Sequence, residues 1–80
     1  MKANYYKIYA AEFLVEADKE MGVVKEMNSN ALVIYKEGRW RLERIDNFNA
    51  YLDIFKTKRC TKKEFENAFD EVINFYKKLV

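Results

Sequence analysis

From Thr61 to Val80, apolar residues return every three or four positions: Phe65, Ala68, Phe69, Val72, Ile73, Tyr76, Leu79 and Val80. That spacing predicts an amphipathic helix over 62–79. Lys62, Lys63, Glu66, Asn67, Asp70, Glu71, Asn74, Lys77 and Lys78 fall on the other side, and Phe75 widens the apolar stripe. Thr61-Lys62-Lys63-Glu64 has the form of a capping box, in which the Thr61 hydroxyl accepts from the Glu64 N–H and the Glu64 carboxylate accepts from the Thr61 N–H. Cys60 and Phe65 stand where a hydrophobic staple closes. A helix with so wide an apolar face is not stable alone in water. It needs a surface to cover, and a sheet is the natural one.

The middle of the chain reads as a three-stranded antiparallel meander over about 23–27, 31–36 and 39–45. Asn28-Ser29-Asn30 supplies the first turn, since Asn tolerates the left-handed backbone such turns need. Glu37-Gly38 reads as a two-residue hairpin turn. It would pair Lys36 with Arg39, Tyr35 with Trp40, Ile34 with Arg41 and Val33 with Leu42. One face would then hold Val33, Tyr35, Trp40 and Leu42, and it is the face expected under the helix. The other would hold Leu32, Ile34, Lys36, Arg39, Arg41 and Glu43, apolar at its centre and basic at its margin.

Two stretches fit more than one template. In Asn4–Met21, residues Tyr6, Tyr9, Ala10, Phe13, Leu14, Ala17 and Met21 make a helical stripe, with Asn4 as cap and Gly22 as left-handed terminator. Tyr5, Tyr6, Ile8 and Tyr9 would also suit a strand, running into a shorter helix. The helix is the expectation taken. In Asp46–Lys56, residues Phe48, Tyr51, Leu52 and Phe55 follow helical spacing, whereas Ala50, Leu52 and Ile54 alternate. Here the expectation is a short helix over about 47–56, with 56–60 as a basic connector. The fold expected is therefore one α+β domain over 1–80: an N-terminal helix, the meander, a short helix and the long C-terminal helix packed on the sheet.

Composition narrows the chemistry. The chain has 80 residues, half of them hydrophobic, with no Pro and two Gly, which suits one folded domain with short turns. It has no His and one Cys, so neither an intrachain disulfide nor a zinc site is expected, and no other cofactor is implied. No apolar run is long enough for a signal peptide or a membrane span, so the expectation is a cytoplasmic protein without membrane contact. Amino-acid usage is skewed as well: Lys outnumbers Arg, and Asn, Tyr, Ile and Phe are frequent, which points to a low-GC bacterial or phage genome. The net charge of +2 hides an asymmetry, because residues 31–63 hold nine bases against four acids.

Catalysis finds little footing. The usual general base near neutral pH is missing, Ser29 is the only serine and lies in an expected turn, and Gly22 and Gly38 are too isolated for a phosphate loop. Cys60, flanked by Arg59, Lys62, Lys63 and a helix start, has neighbours that favour a thiolate. The plainer role is a small apolar staple residue. Lys56-Thr57-Lys58-Arg59-Cys60-Thr61-Lys62-Lys63 places five bases in eight residues and could grip phosphate. The plainer role is a solvated connector. Leu32, Ile34, Phe75, Tyr5 and Ile8 amount to more apolar surface than one thin core consumes. They form a patch if helices cover only one face of the sheet.

Trp40 in a strand, followed by Thr61-Lys62-Lys63-Glu64, Glu66, Ala68 and Phe69 opening a helix, is similar to the small three-stranded arm-binding domain at the N-terminus of some phage-type integrases. Arg59-Cys60 stand where that family carries an aromatic, the N-terminal segment is extra, and much of the match is the capping box itself. Family membership is not drawn from it.

The functional expectation is a small non-catalytic interaction or regulatory module, of phage or mobile-element type, an inhibitor of a partner protein being one form. It would dock a protein or a second copy of itself through Leu32, Ile34, Lys36, Arg39, Arg41, Lys56, Lys58, Arg59, Lys62 and Lys63. The alternative is a nucleic-acid-binding accessory protein that uses the basic 36–63 region.

Overall fold

The structure is a computed structural model that describes residues 2–10, 19–36, 40–51 and 55–79. Five strands form one antiparallel sheet: β1 (Asn4–Ala10), β2 (Glu20–Met27), β3 (Asn30–Tyr35), β4 (Arg41–Ile45) and β5 (Phe55–Arg59). Their order across the sheet is β4-β3-β2-β1-β5. Among the described residues a 3-10 turn, Phe48–Tyr51, precedes β5, and a helix, α1 (Lys62–Lys78), follows it.

The N-terminal helix is overturned. Asn4–Ala10 is a strand paired on both sides, with β2 and with β5. Aromatic and β-branched residues fit a pleated surface, and Tyr5, Lys7 and Tyr9 point to one face while Tyr6 and Ile8 point to the other. Residues 20–21, assigned to the end of that helix, belong to β2. The rest of the expected helix, 11–18, lies outside the described residues. Of the short helix expected over 47–56, residues 48–51 form the 3-10 turn, 55–56 belong to β5 and 52–54 lie outside the described residues; of the basic connector expected over 56–60, residues 56–59 are strand β5. The fold is still a small α+β one, but β2, β3 and β4, which overlap the strands expected over 23–27, 31–36 and 39–45, are three of five strands in one sheet, and residues 37–39 lie outside the described residues.

Gly22 does not cap a helix. It lies in β2 beside a bulge, where Ile8 pairs with Gly22 and Tyr9 with Glu20, leaving Met21 as the extra residue. A Cβ on Gly22 would stand 2.1 Å from the Ile34 carbonyl oxygen, so the approach of β3 at this point admits only glycine. The β2–β3 hairpin closes through Asn28 and Ser29, at φ 53° and 70°, between the paired Met27 and Asn30. Two successive positive φ values are the signature of a turn that matches strand twist.

The β3–β4 register differs from the expected one by a single residue. Tyr35 pairs with Arg41, Ile34 with Leu42 and Val33 with Glu43. The connection is therefore longer than the two-residue turn at Glu37-Gly38, and the one-residue change turns β4 over relative to β3. Trp40 and Leu42 do lie under α1, but Ile34 and Leu32 accompany them there, with Val23. Val33 and Tyr35 face the other way.

Both faces of the sheet carry core. Under α1, the fully buried Val23, Ile34 and Val72 pack with Phe65 and Ala68, bordered by Tyr5, Leu32, Trp40, Leu42, Phe69 and Ile73. On the opposite face, Ile8, Val24 and Val33 are also fully buried, with Ala31, Tyr35, Ile45 and Phe48. Phe48 is carried there by the 3-10 turn, whose start is tied to the hairpin by Phe48 N–H donating to the Ser29 carbonyl. The apolar patch expected if one face lay open is thus not found at Ile8 or Ile34, each 0% exposed.

Candidate functional site

The ten residues expected to bind a partner fall into separate places. Ile34 is buried and Leu32 half-buried beneath α1, so neither offers an outer apolar patch. Arg39 lies outside the described residues. Arg41 sits on β4, at the far edge of the sheet, where its guanidinium meets Glu43 at 3.1 Å and lies 4.4 Å over the Tyr35 ring. Four strand spacings, roughly 19 Å, separate β4 from β5.

Lys36 is taken up by an ionic network under the start of α1. Its Nζ meets Glu20 Oε2 at 3.1 Å, and Lys7 Nζ lies 3.8 Å from Glu20 Oε1 and 3.3 Å from Glu64 Oε1. These groups line an open crevice of about 220 Å³ with Asn67 and Glu71. Glu64 also closes the capping box: its Oε2 accepts from the Thr61 N–H at 2.8 Å, and its own N–H donates to Thr61 Oγ1 at 3.1 Å. The Thr61 N–H first, then the Lys7 ammonium, hold the Glu64 carboxyl below the ordinary carboxylate range. Glu64 in turn holds the Lys7 ammonium above its usual value. Both groups keep their charge near neutral pH, so neither is poised to give or take a proton in catalysis.

This network makes a pH prediction. A carboxyl whose pKa is lower in the folded state lends stability above its unfolded pKa and loses it as pH falls through the folded one. Wild-type protein should therefore lose stability on acidification below about pH 4.5, the ordinary value for this carboxyl. In Glu64→Gln that part of the loss should be missing, as read by urea unfolding at pH 7 and pH 3. Equal acid sensitivity in the two proteins would remove Glu64 from the account.

The surroundings of Cys60 work against the thiolate alternative. The Cys60 N–H continues the β1–β5 ladder by donating to the Tyr5 carbonyl at 3.0 Å. Burial, followed by the Glu64 charge, pushes its thiol up, outweighing the Lys7 ammonium. The flanking Arg59, Lys62 and Lys63 are exposed, whereas the thiol is half-buried.

What the structure does bring together is the basic run of β5 and the first turn of α1. Lys56, Thr57, Lys58 and Arg59 are all exposed, as are Lys62 and Lys63. Among the described residues β5 is an edge strand, paired only with β1. The Arg59 guanidinium lies 5.7 Å over the Tyr6 ring, and Lys62 reaches Glu66 at 3.8 Å. No described residue forms an ion pair with the Lys56, Lys58 or Lys63 side chains. The β4 edge contrasts with this, because there Arg41 is matched by Glu43 and Arg44 by Asp46. Lys58 also stands directly opposite Lys7. That like-charged pair is tolerable because Glu64 and Glu20 neutralise Lys7, leaving Lys58 as the outward charge.

A second crevice, of about 420 Å³, opens between Trp40 and the C-terminal half of α1, with Glu71, Asn74, Phe75 and Lys78 on its walls. The sequence did not mark it. Nearby, the Leu42 N–H donates to the Tyr76 hydroxyl at 3.2 Å, which fixes the end of α1 to β4.

Among the described residues no group of three His, Cys, Asp or Glu side chains could hold a metal ion, and no helix is long and apolar enough to cross a membrane. Comparison with protein-family models, curated proteins and solved structures found no match.

Proposed function

We propose that the chain is a non-catalytic interaction module that docks an acidic partner protein through β5 and the first turn of α1. One observation carries this reading: Lys56, Lys58 and Lys63 are exposed and have no ion pair among the described residues, while Arg41 and Arg44 on the opposite edge and Lys7 and Lys36 in the crevice under α1 are each paired with a carboxylate. Lysines on an edge strand also discourage sheets from joining edge to edge. That role needs only repulsion between copies, whereas docking requires that an acidic chain bind. Self-association through β5 is disfavoured by the same charges, so a second copy is not the partner proposed for this edge.

The test replaces Lys56, Lys58 and Lys63 together by Gln and measures binding of a Glu-rich peptide by fluorescence anisotropy. Losing three exposed charge contacts should weaken binding about tenfold, and raised salt should weaken the wild type in the same direction. Undiminished binding by the triple variant would remove this surface from the site. Should a random DNA duplex bind with a steep salt dependence while the peptide does not, the partner is a nucleic acid.

A further inference from the structure

We infer that the acidic partner binds as an added strand, pairing its backbone with the edge of β5 that no described strand pairs; this rests on the docking surface proposed above. The hydrogen-bond phase of the β1–β5 ladder supports it. Antiparallel partners alternate between pairs that exchange both backbone bonds and pairs that exchange none. The Cys60 N–H donates to the Tyr5 carbonyl, and these two residues continue the register that pairs Arg59 with Tyr6 and Lys58 with Lys7. Two residues on, Lys58 and Lys7 form the next bonded pair, and then Lys56 and Tyr9. Thr57 and Arg59 are therefore the residues of β5 whose N–H and C=O groups point away from β1, toward the open edge.

The side chains add a preference for what arrives. Lys56 and Lys58 share the α1 side of the sheet, with Lys7 beside them, while Thr57 and Arg59 point to the other side. An extended segment laid along β5 places alternate side chains on those two sides. Acids at every second position then meet Lys56 and Lys58, and Lys63 stands in the first turn just beyond the strand end. The occupant is therefore an extended acidic segment of another protein with period-two acids, held by main-chain bonds for affinity and by the lysines for selection. A second β5 does not fit, because it would set lysines against lysines. A DNA phosphate backbone would use the cations and could accept from the outward N–H groups of Thr57 and Arg59, but it has no donor for their outward carbonyls, which an added strand supplies.

The probe is an end-capped eight-residue peptide alternating Glu and Thr. Three comparisons read the pairing. A second peptide of the same composition, with its glutamates in one block, keeps the charge and loses the alternation. A third carries N-methyl groups on alternate residues and loses the donors that face β5. On the protein side, Thr57→Pro removes an outward N–H without touching the β1 ladder, a substitution edge strands tolerate. Each change should weaken binding about tenfold, the worth of one to two backbone hydrogen bonds. The Thr57 and Arg59 amides of the wild type should also gain protection from hydrogen exchange when the alternating peptide binds.

If the blocked and N-methylated peptides bind as well as the alternating one, and the Lys56, Lys58 and Lys63 variant still binds weakly, strand addition is overturned and the acidic-partner reading stands. If the triple variant binds the alternating peptide undiminished, both fall. The peptide comparisons use wild-type protein throughout, so a folding defect in Thr57→Pro would not blunt them.

Discussion

Replacing Ile34 by alanine should lower stability by about 3 kcal/mol, the usual range for a buried isoleucine. A chain of this length has roughly 4–12 kcal/mol to lose, so the variant should unfold at much lower urea with an unchanged denaturant slope. Register sets this cost. Ile34 pairs with Leu42 on the face that α1 covers and is 0% exposed, packed with Val23, Phe65, Ala68 and Val72. Had Glu37-Gly38 made a two-residue turn, Ile34 would lie opposite Arg41 on an outer face, and its truncation would change stability by less than about 0.5 kcal/mol. Leu79→Ala is the matching control. That side chain, in the last turn of the apolar stripe, is 69% exposed, and its removal should be nearly neutral. A neutral Ile34→Ala would refute the register itself.

Gly22→Ala should be about as damaging, costing roughly 3 kcal/mol although it adds one methyl group. The obstacle is backbone. The new Cβ would lie 2.1 Å from the Ile34 carbonyl oxygen and 3.1 Å from the Tyr35 Cα, neither of which can rotate aside. Relief requires β2 and β3 to part at the point where the Lys36 N–H donates to the Met21 carbonyl at 2.8 Å. Differential scanning calorimetry reads the result as a lowered melting temperature. An alanine that stabilises, as it does at a glycine that is merely flexible, would show that the strands do not approach so closely.

The parts of this fold legible in the sequence were those with a local cause. The capping box at Thr61 and Glu64 needs only four consecutive residues, and it forms as read, with α1 starting at Lys62. The Asn28-Ser29 turn is local too. The stripe of α1 located Phe65, Ala68 and Val72, though the same periodicity also enrolled the exposed Tyr76 and Leu79. The strand β1 was not legible because Tyr6, Tyr9 and Ala10 satisfy a helical stripe and a pleat equally well. What decided it was pairing with β2 and with β5, the latter some fifty residues away along the chain. Strand β5 was hidden because Lys56, Thr57, Lys58 and Arg59 have no buried face to alternate against. The faces of β3 were unreadable for a related reason, since Leu32 and Ile34 are as apolar as Val33 and Tyr35. Of the candidate site, the cluster from Lys56 to Lys63 was visible as charge, and the structure adds that it lies along an edge strand. The capture of Lys36 by Glu20, the pairing of Arg41 with Glu43 and the burial of Ile34 are tertiary facts with no local signature.

The most direct test of the docking surface is a titration of ¹⁵N-labelled protein with the alternating Glu-Thr peptide, followed by amide chemical shifts. The largest changes should fall over Lys56–Lys63, with smaller ones in the paired residues Tyr6–Tyr9 and the Arg41–Ile45 edge unmoved. Shifts centred instead on Arg41 or on the Trp40–Phe75 crevice, or no shifts at all, would contradict docking at β5.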